Sequence, residues 1–232
     1  IRKDIDETPA FKQVKKSGQV AKAPLRETLK HHWREVLIAA GLKVVETAPF
    51  YIFSTFVVSY ATTTLSYQKS QALEAVTLGA LVATIMIPLM GLLSDKVGRQ
   101  RMYAVSVFTL GLFIVPWFML LNTGATWGIV LATVIAFGVL WAPVTAVLGT
   151  LCSEIFTANV RYTGITLGYQ LGAALAGGTA PLIATGLLAK YNGDWVPVAW
   201  YLAVTVTISL IAIFFASRVK RAPAINAQTN EL

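Results

Sequence analysis

The chain has 232 residues, of which 56% are hydrophobic and only 13% are charged. Soluble domains usually carry about 25% charged residues, so this composition excludes an ordinary soluble globule and indicates a protein that folds in the lipid bilayer. The net charge of +8 would suit nucleic acid. The cations flank the apolar runs, however, so we expect a membrane, and not nucleic acid, as the partner.

Residues 1–35 form a polar segment with nine Lys/Arg and five acidic residues. We expect a cytoplasmic linker with short surface helices, one beginning near Pro24, because proline favours the first helical turn. The segment is no signal peptide and the chain begins at Ile1, so we expect an upstream part to be missing. His31 and His32 are expected at the membrane interface, since a metal site needs more ligands nearby.

Six apolar runs follow, each long enough to cross a hydrocarbon core about 30 Å thick as a helix. The predicted spans are 36–61, 73–93, 102–121, 127–151, 162–190 and 195–216, followed by a polar cytoplasmic tail at 217–232. The sequence therefore predicts an all-α membrane protein whose six-helix bundle occupies residues 36–216. Helices also satisfy all the backbone polar groups that lipid cannot.

The cations orient this bundle. With six crossings, sixteen of the nineteen Lys/Arg fall on the side of both termini and two on the other side, while Lys43 lies within a span. Positively charged loops remain in the cytoplasm. We therefore expect both ends of the chain to be cytoplasmic.

A short polar link joins the second and third spans, which we expect to be antiparallel neighbours. Its residues Gly91, Asp95, Gly98, Arg99 and Arg101 suit a helix end that approaches a neighbour, a carboxylate that accepts hydrogen bonds at a helix N-terminus, a tight turn and two interfacial cations. The link resembles the Gly-x-Leu-x-Asp-x-x-Gly-Arg-x-Arg signature of the major facilitator superfamily. The plain alternative is a cation-rich loop with turn glycines.

A second motif lies between the fourth and fifth spans. Ser153-Glu154-Ile155-Phe156, followed by Arg161 and Gly164, resembles the element that the superfamily carries there. Glu154 and Arg161 are expected to pair with each other or with the cations of the first motif and so to help close a cytoplasmic gate. The alternative is an ordinary pair of charges at a helix end.

The amino-acid sequence around these motifs is similar to that of the metabolite:proton symporter branch of the superfamily. That resemblance implies twelve helices in two halves, of which this chain would be the C-terminal one. It also implies a proton as the coupling ion, no cofactor, a monomer when complete, and location in the cytoplasmic membrane of a bacterium. The N-terminal six-helix half would be the missing partner.

Lys43 and Glu46 are the one ionisable pair inside an apolar run. Residues three apart share a helix face, and the helical rise places them roughly 14 Å and roughly 18 Å into the span. Charges near the midplane are costly and usually functional. Glu46 is expected to carry a proton or hold a cationic group and Lys43 to attract a carboxylate, unless the two form a static ion pair.

Four further residues are candidates for the substrate and proton pathway. They are Tyr51, Trp141, Tyr169 and Gln170, although core packing is the more common role for the aromatic ones. Gly164, Gly168 and Gly172 form a ladder that favours close contact between helices.

Several chemistries have no counterpart in the sequence. It contains no phosphate-binding loop, no nucleophile elbow and no metal-ligand spacing, and Cys152 has no histidine beside it. We therefore expect no enzyme, no metal and no cofactor. The function predicted is proton-coupled secondary transport of a small organic acid or zwitterion. The alternative is a transporter-like sensor or scaffold that binds a metabolite without moving it.

Overall fold

The computed structural model describes residues 24–219, so the predicted linker up to residue 23 and the tail from residue 220 lie outside the described residues. A short helix, α1 (Pro24–His31), begins at the predicted proline. Six longer helices follow, each long and apolar enough to cross a membrane: α2 (Trp33–Thr63), α3 (Lys69–Val97), α4 (Arg99–Leu121), α5 (Thr126–Ile155), α6 (Arg161–Lys190) and α7 (Val196–Ala216). The prediction of an all-α protein with six spans is confirmed.

Several helices extend beyond the predicted apolar runs. α3 begins at Lys69 and ends at Val97, about one turn further at each end than its apolar run. A capping box between Gln68 and Gln71 fixes its start, and Gly98, with φ of +97°, ends it. Polar residues continue a helix past the hydrocarbon core until a cap or a turn stops it. A prediction based on apolar runs therefore omits these polar ends of the helices.

Two spans form the centre of the bundle. α2 packs against α6 and α7, and α5 packs against α3 and α4. These two central spans are also the most buried, whereas α3 is the least. The expectation that α3 and α4 are close neighbours was wrong beyond their shared turn at Gly98, because α5 packs against both and their mutual contact is slight.

Glycine determines how closely α6 approaches α2. A Cβ atom added at Gly168 would lie 2.6 Å from the Cβ of Ala39, and one added at Gly172 would lie 2.5 Å from the carbonyl oxygen of Ala40. Gly164, the first residue of the predicted ladder, meets the Phe156 ring in the turn before α6 instead. Neither space at Gly168 or Gly172 holds a methyl group, so this part of the ladder is a helix contact face. It sets α6 directly beside the segment that contains Lys43.

Three spans contain a π-helical turn. These turns are Ile52–Phe56 in α2, Val134–Leu140 in α5 and Ala173–Gly177 in α6. The second and third precede Pro143 and Pro181. A proline lacks an N–H and its ring clashes with the carbonyl four residues earlier, and both of those carbonyls lie in the π turns. The wider turn accommodates the clash while the helix continues.

Candidate functional site

The Lys43 ammonium and the Glu46 carboxylate form an ion pair on one face of α2. Their side chains are only 17% and 13% exposed, and both lie near the middle of a 31-residue span. The Thr47 hydroxyl donates a hydrogen bond of 2.9 Å to the same carboxylate oxygen of Glu46. The pair is therefore electrically neutral, largely buried and held by a third polar group.

α5 contributes Trp141 to the same level of the bundle. Its indole Nε1 donates a 2.7 Å hydrogen bond to the backbone carbonyl of Glu46, although 95 positions separate the two residues. The bond ties α5 to α2 directly after the π turn that ends at Leu140. Trp141 thus fixes the position of the carboxylate's backbone, rather than contacting the carboxylate itself.

α6 contributes Tyr169 to the other side of the pair. The Lys43 Nζ lies 4.9 Å from the centre of its ring, close enough for a cation–π interaction. The Tyr169 hydroxyl is buried beside the Cys152 thiol and makes no hydrogen bond of ordinary geometry within residues 24–219. A buried hydroxyl without such a partner is uncommon in folded proteins.

An aromatic cluster adjoins the pair on the side away from α1. Phe50 contacts Tyr51, Phe137 and Trp141 with ring centres 5.4, 5.6 and 5.3 Å apart. Trp141 and Phe137 are buried, whereas Tyr51 is 37% exposed. The cluster forms an apolar wall next to the two charges, and Tyr51 is its open edge.

Gln170 lies apart from the pair. It follows Tyr169 in α6 and is exposed, on the face roughly opposite the glycines that contact α2. Its expected place in the pathway stays a prediction. The structure thus brings together Lys43, Glu46, Trp141 and Tyr169, with Tyr51 at the edge, and leaves Gln170 outside.

The second group of charges lies at the ends of α3, α4 and α5. Arg99 donates hydrogen bonds of 2.9 Å to Asp95 and 2.6 Å to Glu154, so one guanidinium joins three helices. The side chains of these three charged residues are 28–58% exposed. Glu154 was expected to pair either with Arg161 or with the cations of the first motif, and in the structure it pairs with Arg99.

The remaining residues of this motif have other neighbours. Arg161 donates to the backbone carbonyl of Phe156 at 3.3 Å, and Arg101 is exposed and makes no ion pair with the described residues. Gly98 has the positive φ that a tight turn requires. A Cβ atom at Gly91 would meet no atom within 4 Å, so the close approach predicted there is not made to any of residues 24–219.

Sequence reasoning missed three residues of the site. Thr47 follows Glu46 directly, and a hydroxyl next to a membrane carboxylate was the available signal. Phe50 and Cys152 gave no such signal, because an apolar side chain reveals its neighbours only in three dimensions. No group of three or more His, Cys, Asp or Glu within residues 24–219 is arranged to hold a metal ion.

Comparison with known proteins agrees with this architecture. The model of the Major Facilitator Superfamily matches residues 39–231. The ectoine/proline transporter ProP of Corynebacterium glutamicum is 29% identical over 98% of the chain and 47% of its own length. The shikimate transporter of Escherichia coli is 28% identical over 96% of the chain and 51% of its own length.

A third relative is the glycine betaine/proline/ectoine/pipecolic acid transporter OusA of Dickeya dadantii, which is 27% identical over 96% of the chain and 46% of its own length. The chain thus spans about half the length of the curated relatives it matches. No solved structure matches it significantly. We conclude from the six spans, their order and the extent of the family match that this multi-pass membrane chain belongs to the Major Facilitator Superfamily.

Proposed function

We propose that the complete protein is a proton-coupled transporter of a small zwitterionic or acidic metabolite, and that this chain supplies the C-terminal half of its pathway. The observation that carries the proposal is the largely buried Lys43–Glu46 pair. Charges are costly near the middle of a membrane and mark pathways when they occur. Transporters of this architecture bind substrate near the midplane between their two halves, which rock to alternate access.

The charge balance of the pair favours two kinds of substrate. A zwitterion exchanges partners with the pair, its carboxylate contacting Lys43 and its cation contacting Glu46, and no net charge enters the membrane. An organic anion would replace Glu46 beside Lys43 and leave one negative charge without a partner. A proton on Glu46 cancels that charge, so anion uptake at this site requires a proton.

The Asp95–Arg99–Glu154 group is proposed as part of the cytoplasmic gate. Exposed ion pairs of this kind contribute about 0–1 kcal/mol each. That is enough to bias two conformations without locking one. The group breaks when the ends of α3, α4 and α5 separate and re-forms when they close.

The orientation of the protein is proposed from the cations of the described residues. Most of them lie on the side of the bundle where α2 begins, and only Lys69 and Lys190 lie on the other side. The first group consists of Arg26, Lys30, Arg34, Lys96, Arg99, Arg101, Arg161 and Arg218. This bias supports the proposal that the first side faces the cytoplasm. The complete protein is proposed to act as a monomer in the cytoplasmic membrane.

The test is an uptake screen in cells that carry the complete gene. Radiolabelled betaines, proline and small organic acids are offered with and without a protonophore, and the Glu46→Gln variant is compared with Glu74→Gln, a control at an exposed carboxylate near the start of α3. We expect Glu46→Gln to abolish protonophore-sensitive uptake and Glu74→Gln to preserve it.

Two outcomes oppose the proposal. Normal, protonophore-sensitive uptake by Glu46→Gln would remove Glu46 from the pathway. Ligand binding by the purified protein without counterflow in liposomes would favour a metabolite sensor that does not transport.

A further inference from the structure

Helix α1 and the first turns of α2 present two neighbouring stripes to the outside of the bundle. The apolar stripe consists of Leu25, Leu29, Trp33 and Leu37, each about half exposed. The basic stripe consists of Arg26, Lys30 and Arg34, all exposed. A spacing of four residues keeps the members of each stripe on one helix face.

The two stripes continue across the junction of the helices. His32 departs from helical dihedrals, with φ of −126° and ψ of 22°. Its N–H nevertheless donates to the Thr28 carbonyl at 2.8 Å, and its own carbonyl accepts from the Val36 N–H at 3.0 Å. The hydrogen-bond ladder therefore carries the same faces from α1 into α2.

The opposite side of α1 holds it to the bundle. Thr28 is fully buried, and the Glu27 carboxylate accepts a 3.2 Å hydrogen bond from the Asn159 amide in the turn before α6. These contacts fix the rotation of α1 about its axis. The apolar and basic stripes consequently face outward.

The cations of the basic stripe are not neutralised within residues 24–219. Glu27 contacts Asn159, and Glu35 lies 3.7 Å from His32. Arg34 lies over the Trp33 ring at 5.4 Å, which joins the basic stripe to the apolar one. The three cations thus form a positive strip beside an apolar one, at the point where a membrane span begins.

We propose that this surface binds an anionic phospholipid, with an acyl chain along the apolar stripe and the phosphate between the cations of the basic stripe. An amphipathic helix with an apolar face and a flanking row of Lys/Arg lies in the membrane interface. Cations near an anionic membrane surface attract its lipids. The site is separate from the Lys43–Glu46 pair and does not depend on which substrate is carried.

Trp33 provides the probe. The complete protein is reconstituted in phosphatidylcholine vesicles that contain the same share of either dibrominated phosphatidylglycerol or dibrominated phosphatidylcholine, and bromine quenching of tryptophan fluorescence is measured. The contribution of Trp33 is the difference in quenching between the unmodified protein and the Trp33→Phe variant. We expect stronger quenching of Trp33 by the brominated phosphatidylglycerol, and a preference that weakens as salt is added.

A charge variant and a matched control test the role of the basic stripe. Arg26→Gln/Lys30→Gln/Arg34→Gln should lower the preference for the anionic lipid about fivefold or more, given the attraction of each cation to the surface. Lys69→Gln/Lys190→Gln, which removes cations at the opposite ends of the spans, should keep it.

Three results would overturn the inference. They are equal quenching by the two brominated lipids, an unchanged preference in the triple variant, and no quenching of Trp33 by either lipid, as a covering protein segment would produce. The measurement requires no transport, so its failure and a failure of the proposed function are separate results.

Discussion

At the scale of residues, the pair in α2 is notable for what surrounds each charge. Glu46 has Lys43 and the Thr47 hydroxyl, and Lys43 has Glu46 and the Tyr169 ring. The sequence predicted the pair, because a spacing of three residues places both side chains on one face. It did not predict Trp141 as the group that holds the Glu46 carbonyl, because a contact across 95 positions follows from the fold alone.

A double substitution separates a functional pair from a static one. Removing one partner of a buried pair leaves an uncompensated charge and costs about 3–5 kcal/mol, whereas replacing both with apolar residues is often neutral. We expect Lys43→Met to lower the thermal stability of the purified complete protein and Lys43→Met/Glu46→Met to restore it. Neither variant should take up substrate.

The combination of stability and uptake decides between the two roles. A double variant that is both stable and active would reduce the pair to a packing element. Thermal unfolding by tryptophan fluorescence and initial uptake rates are the two measurements needed.

At the scale of elements, the close contact between α2 and α6 depends on glycines, which have no side chain to hold the two helices apart. The sequence showed the glycine ladder but not its partner, since small residues indicate close approach without naming the helix that approaches. The structure assigns that partner as the part of α2 that carries Ala39, Ala40 and Lys43. The close contact is what brings Tyr169 to Lys43.

Two glycines of α6 provide a matched comparison. A Cβ at Gly172 would lie 2.7 Å from the Lys43 Cβ and 2.5 Å from the Ala40 oxygen, whereas one at Gly186 would meet nothing within 4 Å. We expect Gly172→Ala to destabilise the protein by about 1–3 kcal/mol through overpacking. Gly186→Ala should be neutral or slightly stabilising, because alanine favours the helix. Equal melting temperatures for the two variants would contradict the close contact.

At the scale of the whole molecule, the number and order of the spans could be predicted because each apolar run is long enough to cross a bilayer. Their mutual packing could not, as the wrong expectation for α3 and α4 demonstrates. Sequence adjacency indicated neighbours, but the packing of α5 against both helices decided the arrangement. The low burial of α3 fits a span whose exposed face contacts lipid or the proposed N-terminal half.

Cysteine labelling tests the proposed orientation. In a Cys152→Ala background, Lys96→Cys places an exposed thiol near the end of α3, and Thr64→Cys places one in the turn between α2 and α3, at the opposite end of the bundle. With intact cells and a membrane-impermeant maleimide, we expect Thr64→Cys to be labelled at once and Lys96→Cys only after permeabilisation. The reverse pattern would invert the protein in the membrane and contradict the charge bias.

The π turns have a consequence for how members of the family diverge. A π turn holds one residue more than the α-helical turn it replaces. A relative that lacks that residue can form uninterrupted α-helix there while every side chain before and after keeps its face. One-residue gaps between this chain and its relatives should therefore be tolerated inside α2, α5 and α6, at Ile52–Phe56, Val134–Leu140 and Ala173–Gly177. These insertions can then be gained or lost without moving the Lys43–Glu46 pair.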